Sequence, residues 1–98
     1  MEIERNLIAD NEAEDRGGGI AMIGFPDSIS PVLVRNNIIV GNHASFNGGG
    51  VYQYVSPTRI INNTIHDNES LFGAGIYSGF TDPNTPVSIA NNIIQDNT

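Results

Sequence analysis

The fold is decided by one stretch of the chain, Val34-Arg-Asn-Asn-Ile-Ile-Val-Gly-Asn42, which is followed by Gly48-Gly-Gly-Val-Tyr52. The first motif occurs four times, because gapless copies also start at Ile3, Ile60 and Ile89, at spacings of 31, 26 and 29 residues. Repetition at this period indicates a solenoid, in which each copy belongs to one coil that stacks on the next. The other two copies of the glycine motif are Gly17-Gly-Gly-Ile-Ala21 and Gly73-Ala-Gly-Ile-Tyr77.

Alignment of the copies gives columns of residues that predict which side chains are buried. Some columns contain only β-branched aliphatic residues, which favour strands. Mixed columns are predicted to face outward or to be partly covered, and one of these holds Leu7, Ile38, Thr64 and Ile93. A helix fits worse, because Asn and Gly interrupt every copy. The columns predicted to face the core are Ile3, Val34, Ile60 and Ile89; Ile8, Ile39, Ile65 and Ile94; and Ile20, Val51 and Ile76.

Two columns contain only asparagine. Coils stacked at the strand spacing of about 4.8 Å bring these amides within hydrogen-bonding reach, so they are predicted to form ladders. Asparagine also tolerates the left-handed backbone of a sharp corner, which we expect at the same positions. The glycine motifs predict a positive φ or a close approach of neighbouring coils. The ladder residues are Asn6, Asn37, Asn63 and Asn92 in one column, and Asn11, Asn42, Asn68 and Asn97 in the other.

The repeat, with Asn36-Asn-Ile-Ile-Val-Gly-Asn42 before a Gly-Gly-Gly-Val-Tyr segment, resembles the right-handed parallel β-helix proteins of the pectate-lyase-like class. It is particularly similar to repeats of bacterial secreted and autotransporter-type surface proteins. The resemblance covers nearly the whole chain. It implies an all-β, right-handed parallel β-helix of three to four coils, with about 26–31 residues per coil. Residues 1–98 are then a single domain, either a fragment or a small self-associating unit.

The composition narrows the classes of partner. Eleven acidic residues stand against four basic ones, all arginine, and the net charge of −7 argues against a nucleic-acid partner. The sequence contains no apolar run of membrane-spanning length, so membrane insertion is not expected. It contains no cysteine, which excludes disulfides and thiolate metal sites. The resemblance implies a secreted or bacterial cell-surface location, although no signal peptide is recognisable in this chain.

The expected function is that of a non-catalytic structural or interaction module. Lyases of the resembled class place lysine, arginine, aspartate or histidine on one outer strand face, often with calcium, whereas this chain has no lysine and few coils. A terminal coil without a polar cap exposes apolar side chains, which predicts a homo-oligomer joined through the solenoid ends. The alternative is part of a carbohydrate-active domain, lyase-like or sugar-binding, with a polysaccharide as partner.

Tyrosines supply the candidate ligand-binding residues. Tyr52 and Tyr77 lie one coil apart, and Tyr54 follows nearby. Exposed rings in a row could stack on sugars, but rings at these positions could equally cover the core or a partner subunit. We favour packing over sugar binding, because Phe25 and Phe80 lie in adjoining loops that are expected to fold back on the solenoid.

Two columns are candidate metal sites. Glu12, His43 and Glu69 place an imidazole between two carboxylates, and this column is interpreted either as a metal site or as a solvated column of charges. Asp67 and Asp96 share another column that could contribute to calcium binding, although calcium requires more oxygen ligands than they supply. His66 precedes Asp67, and the two side chains are expected on opposite faces of a strand.

Overall fold

The computed structural model describes residues 1–24, 31–79 and 86–98. In these ranges the regular structure is β-strand, and each strand pair is parallel. No helix long and apolar enough to cross a membrane occurs in the described ranges. The strands are β1 (Glu2–Glu4), β2 (Leu7–Ala9), β3 (Glu12–Ala13), β4 (Ile20–Ile23), β5 (Val32–Arg35), β6 (Ile38–Val40), β7 (His43–Ala44), β8 (Val51–Tyr54), β9 (Thr58–Ile61), β10 (Thr64–His66), β11 (Ile76–Gly79), β12 (Val87–Ala90) and β13 (Ile93–Gln95).

The strands form a parallel β-helix. The first sheet has the order β1-β5-β9-β12, the second β2-β6-β10-β13, and the third β4-β8-β11, while β3 and β7 form a short pair at the corner between the second and third sheets. The register follows the sequence columns, because Ile3 pairs with Val34 and Ile8 pairs with Ile39. The predicted all-β solenoid of three to four coils is therefore confirmed.

The core is a stack of the invariant apolar columns. Val34, Ile39, Ile60 and Ile65 are fully buried, and Ile20 and Val51 pack against them. The mixed column faces outward as predicted, with Leu7 and Ile93 among the most exposed apolar residues. Each invariant column thus places one β-branched side chain per coil inside the solenoid, where side chains from successive coils fill the interior.

Both predicted asparagine ladders are present, and within each ladder the bonds between asparagines all run from one coil to the Oδ1 of the next. The backbone N–H and the side-chain Nδ2 of Asn37 donate to Oδ1 of Asn63, each at 3.0 Å. The same Nδ2 also donates to the carbonyl oxygen of Ile3 in the preceding coil, at 2.8 Å. Asn42 and Asn68 repeat this arrangement in the second ladder. No buried side-chain nitrogen or oxygen in the described residues lacks a partner, so the interior polar atoms are satisfied.

The sharp corners differ in one respect from the sequence prediction. The left-handed residues precede the ladder asparagines instead of coinciding with them. The first corner has positive φ at Arg5, Asn36, Asn62 and Asn91, and the second at Asp10, Gly41, Asp67 and Asp96. The ladder asparagine that follows is then free to turn its amide into the stack, because the preceding residue makes the turn. Asparagine, aspartate and glycine dominate these positions since they tolerate this conformation best.

The glycine motifs meet both predicted requirements at different positions. Gly48 has a φ of +68°, so the first glycine makes the bend. A Cβ on Gly49 would lie 2.5 Å from the carbonyl oxygen of Glu69, and one on Gly50 would lie 2.5 Å from that of Gly75. Both neighbours are backbone atoms of the next coil. The second and third glycines therefore permit adjacent coils to approach at the strand spacing.

Candidate functional site

The three tyrosines lie together on the outer face of the third sheet. Tyr52 and Tyr54 project to the same side of β8, because alternate residues of a strand share a face. Tyr77 of β11 is paired directly with Tyr52. The ring centroids of Tyr52 and Tyr77 are 5.5 Å apart with an interplanar angle of 12°, and those of Tyr52 and Tyr54 are 6.3 Å apart at 4°. We call these three residues the tyrosine cluster.

Tyr52 is the central ring of the tyrosine cluster, and its neighbours bury it. Tyr52 is only 4% exposed, whereas Tyr54 is 41% exposed. The guanidinium carbon of Arg16 lies 5.8 Å from the centroid of the Tyr52 ring, within the range of a cation–π contact. A Cβ on Gly79 would lie within 3.0 Å of the Tyr54 and Tyr77 rings, so a glycine there leaves room for them. Tyr52 is therefore packed within the cluster, and the choice between packing and sugar binding for the cluster as a whole stays a prediction.

Arg16 and Gly79 are members of this site that the sequence analysis did not single out. Arg16 directly precedes the glycine motif, where the other coils have Asn47 and Phe72 in register. The glycine motif that follows Arg16 ends in Ala21, which pairs with Tyr52 of the next coil. A cation before this motif, with a tyrosine at the equivalent position of the next copy, is the signal that could have placed Arg16 beside a ring. Phe25 and Phe80, which the prediction invoked, lie outside the described residues.

Burial raises the pKa of Tyr52 above its ordinary value of 10.0, and the nearby Arg16 charge opposes this effect without cancelling it. A raised pKa means that the folded state holds the proton more tightly than the unfolded state does. This contribution to stability is therefore complete below about pH 10 and is lost as the pH rises further. We expect the midpoint temperature of thermal unfolding to decrease as the pH is raised above about 10. The decrease should be smaller in Tyr52→Phe.

Phenolate absorbance measures this directly, because the chain contains three tyrosines and no tryptophan. In the folded protein one tyrosine should ionise later than in urea, and Tyr52→Phe should remove that late component. Identical titration curves for the folded chain and the chain in urea would contradict the assignment.

The column of Glu12, His43 and Glu69 is in register as predicted. Glu12 pairs with His43 in the corner pair, and a parallel bridge joins His43 to Glu69. Nevertheless, no group of three or more His, Cys, Asp or Glu in residues 1–24, 31–79 and 86–98 has an arrangement that could hold a metal ion. Both glutamates are exposed, which fits the solvated column of charges. Metal binding by this column and calcium binding by the aspartate column stay predictions.

A cavity of about 240 Å³ opens beside this column, at the same corner. The hydroxyl of Ser70 in this lining is hydrogen-bonded to the backbone, because its Oγ donates to the carbonyl oxygen of Phe72 at 2.8 Å. Leu71 and Phe72 are exposed nearby, and neither was singled out from the sequence. The cavity is lined by His43, Ala44, Ser45, Glu69, Ser70, Leu71 and Thr98.

The expectation for His66 and Asp67 is wrong. His66 Nδ1 and Asp67 Oδ2 are 2.8 Å apart. The alternation of an extended strand does not apply, because Asp67 has a φ of +54° and turns the chain at the corner. The pair is exposed, and it faces solvent beside the second sheet.

The two ends of the solenoid are apolar. Ile89 is 45% exposed and Ile94 is 47% exposed, although Ile60 and Ile65 in the same columns are fully buried. At the other end, Ile3 and Ile8 are half-buried. Side chains of the core columns therefore reach the surface where the stack stops.

The stacked parallel sheets, the asparagine ladders and the apolar columns define a repeat architecture, and comparison with known proteins places it. A sequence model described as "Right handed beta helix region" matches residues 1–98. The chain belongs to the right-handed β-helix family. Searches with it find no significant match among curated proteins or among solved structures. The handedness predicted by the resemblance is confirmed at the level of the family. As a right-handed β-helix, the chain carries the tyrosine cluster on an outer face and its ladders at two corners.

Proposed function

We propose that this β-helix is a non-catalytic structural or interaction module of a secreted or surface protein, and that it self-associates through its coil ends. The observation that carries the proposal is the exposure of core columns at the ends. Ile89 and Ile94 are nearly half exposed, whereas their counterparts one coil below are fully buried. Another coil stacked on this end would remove that apolar surface from water, which favours association.

The polar residues support a structural role. The amides of Asn37, Asn42, Asn63 and Asn68 are buried, and their hydrogen bonds go to one another and to carbonyl groups of the preceding coil. These side chains hold coils together, so they are not available to a substrate. The proposed location outside the cell follows from the resemblance of the repeats to those of secreted and surface proteins.

Light scattering over a concentration series tests the proposal. We expect a mass above the 10.5 kDa of one chain, rising with concentration. Association should strengthen with added salt, because every copy carries a net charge of −7 and salt screens the repulsion. A folded protein that stays monomeric throughout the series would contradict the proposal. Repeating the series with calcium and with a chelator tests whether an ion contributes.

A second function, binding or cleavage of a polysaccharide, is favoured by the tyrosine cluster. Tyr54 offers an exposed ring beside two others, and Arg16 supplies a positive charge next to them. Tyrosine fluorescence reports on this cluster alone, since it contains all three tyrosines of a chain without tryptophan. Saturable quenching by an acidic polysaccharide that is lost in Tyr54→Ala would favour this function. The same signal in both proteins would show that the sugar acts elsewhere.

A further inference from the structure

The outer face of the second sheet carries exposed apolar side chains. Two columns of residues face outward there, because the column of Ile8 and Ile39 between them faces the core. Ile38 is 48% exposed although its strand, β6, has β2 on one side and β10 on the other. The exposure of this side chain is therefore a property of the lateral face and not of the first or last coil. The outward columns are Leu7, Ile38, Thr64 and Ile93; and Ala9, Val40, His66 and Gln95.

The corners on the two sides of this face differ in their chemistry. Before the strands, the left-handed corner residues are one arginine and three asparagines, which can donate hydrogen bonds to a carboxylate. We call this set the donor flank, and it consists of Arg5, Asn36, Asn62 and Asn91. After the strands, the corner residues are three aspartates and one glycine. We call this set the acceptor flank, and it consists of Asp10, Gly41, Asp67 and Asp96.

Both flanks are accessible to a partner. Every flank residue except Gly41 is exposed. Asp67 contacts His66 of its own chain, whereas no ion pair joins Arg5 or Asp10 to another described residue. An apolar face is thus bordered by a cation and amides on one side and by carboxylates on the other.

We infer that two copies of this chain pack face to face through the second sheet, related by a two-fold axis parallel to the solenoid axis. Such an axis reverses the strand direction between the copies and keeps every coil at its own level. The donor flank of each copy then faces the acceptor flank of the other, so Arg5 faces the partner's Asp10 and Asn91 faces the partner's Asp96. The contact is isologous, so each of these pairings occurs twice. The apolar columns are buried between two sheets about 10 Å apart.

A second copy is the occupant that the charges favour. It repeats the same coil spacing, so donors and acceptors match level by level along the whole face. A two-fold axis along the strands fits worse, because it sets each flank against the same flank of the other copy. Asp10 would then face the partner's Asp96, and facing carboxylates repel each other. This lateral contact goes beyond the proposed function, since it does not involve the coil ends.

Cross-linking through one introduced thiol tests the contact. The chain contains no cysteine, so Ile38→Cys provides a single thiol per copy. Facing strands about 10 Å apart are too distant for a disulfide, and a short bismaleimide therefore serves as the cross-linker. Four strands of three residues form a face smaller than stable complexes use, so the dimer is weak and covalent trapping is the suitable measurement. The matched control is Ser88→Cys, which is exposed on the outer face of the first sheet.

We expect Ile38→Cys to give a cross-linked product of about twice the 10.5 kDa of one chain, and Ser88→Cys to give several-fold less. Physiological ionic strength is the appropriate condition, because salt screens the repulsion between two chains of net charge −7. Copies joined only through their coil ends would hold their Ile38 residues a whole stack apart. End joining alone therefore gives no cross-link at this position.

Exchanging charges between the flanks, in the Ile38→Cys protein, tests the orientation. Arg5→Asp sets an aspartate against the partner's Asp10, and Asp10→Arg sets two arginines against each other. Each variant alone should give several-fold less dimer, and a 1:1 mixture of the two should recover the yield, because it restores opposite charges at both pairings. Circular dichroism establishes that each variant folds. Arg5→Asn and Asp10→Asn, which remove the charge without reversing it, replace any that does not, and each should also lower the yield.

Two results would overturn the inference. Equal dimer yields from Ile38→Cys and Ser88→Cys would exclude the lateral contact, whatever light scattering shows about the coil ends. A yield that rises in Asp10→Arg alone would exclude the proposed axis, because it would mean that Asp10 faces another carboxylate. Cross-linking of Ile38→Cys that is lost in each charge variant and recovered in their mixture supports the proposed dimer.

Discussion

Replacing Asn68 with alanine is expected to lower the free energy of unfolding by about 4 kcal/mol, a large share of the stability of a domain of this size. Oδ1 of this fully buried side chain accepts from the backbone N–H and the Nδ2 of Asn42, at 2.9 and 3.0 Å. Its Nδ2 donates to the carbonyl of Ile39 and to Oδ1 of Asn97. Alanine would remove the acceptor of both Asn42 donors and the donor to the Ile39 carbonyl, and these groups are buried. Asn97 Oδ1 is only part-buried and would still accept from the backbone N–H of residue 68.

Asn11→Ala is the matched control in the same column. Asn11 Nδ2 donates to Oδ1 of Asn42, but its own Oδ1 receives nothing from the described residues, and its backbone N–H would still donate to Asn42. We expect a loss of less than about 1 kcal/mol. Urea unfolding followed by circular dichroism, at one low protein concentration, compares the two variants. If both variants lost the same free energy of unfolding, the contribution of a ladder asparagine would not depend on its burial or on the bonds that its Oδ1 accepts.

Replacing Gly49 with alanine is expected to cost about 3 kcal/mol, since overpacking is resisted here by backbone alone. The added Cβ would lie 2.5 Å from the carbonyl oxygen of Glu69 and 2.7 Å from that of Ala74. Neither atom is the end of a flexible side chain, so relief requires the coils to separate. Separation would weaken the pairing of β8 with β11, because β8 begins two residues after Gly49.

Ala74→Gly provides the comparison, because Ala74 occupies the third position of the column that begins with Gly18 and Gly49. This column already accommodates a methyl group at Ala74, which is half-buried. Removing this methyl group should change the free energy of unfolding by no more than about 1 kcal/mol. Thermal and urea unfolding of both variants measure the two changes in the free energy of unfolding. A Gly49→Ala protein as stable as Ala74→Gly would mean that the coils are not held at the strand spacing.

The ladders and the core could be predicted from the sequence because every coil repeats the same physical requirement. Ile39 and Ile65 occupy equivalent sites, so alignment alone reveals which positions face inward. The left-handed corner residue was placed one position too late. Asn36 and Asn37 are identical residues, and the pattern Asn-Asn does not state which of them makes the turn. Arg5 obscured the first corner further, since arginine is not a typical residue for a positive φ.

The candidate sites were less predictable, because they depend on contacts between columns that do not repeat. Register correctly brought Glu12, His43 and Glu69 together, but register does not fix where their mobile side chains point. The burial of Tyr52 arises from Tyr54 on its own strand, Tyr77 in the next coil and Arg16 before a glycine motif. Only one of these neighbours, Tyr77, belongs to the column of Tyr52.

The parallel stacking also determines how the chain reaches its fold. Every strand pair of the described residues joins positions 25 to 31 apart, and no hairpin occurs among them. Folding therefore has no local nucleus, and the first step must close a loop as long as a whole coil before any ladder bond forms. Once two coils have met, each further coil adds to an existing edge. The first pairing of two coils is thus the slow event, and completion of the stack follows as growth from a template.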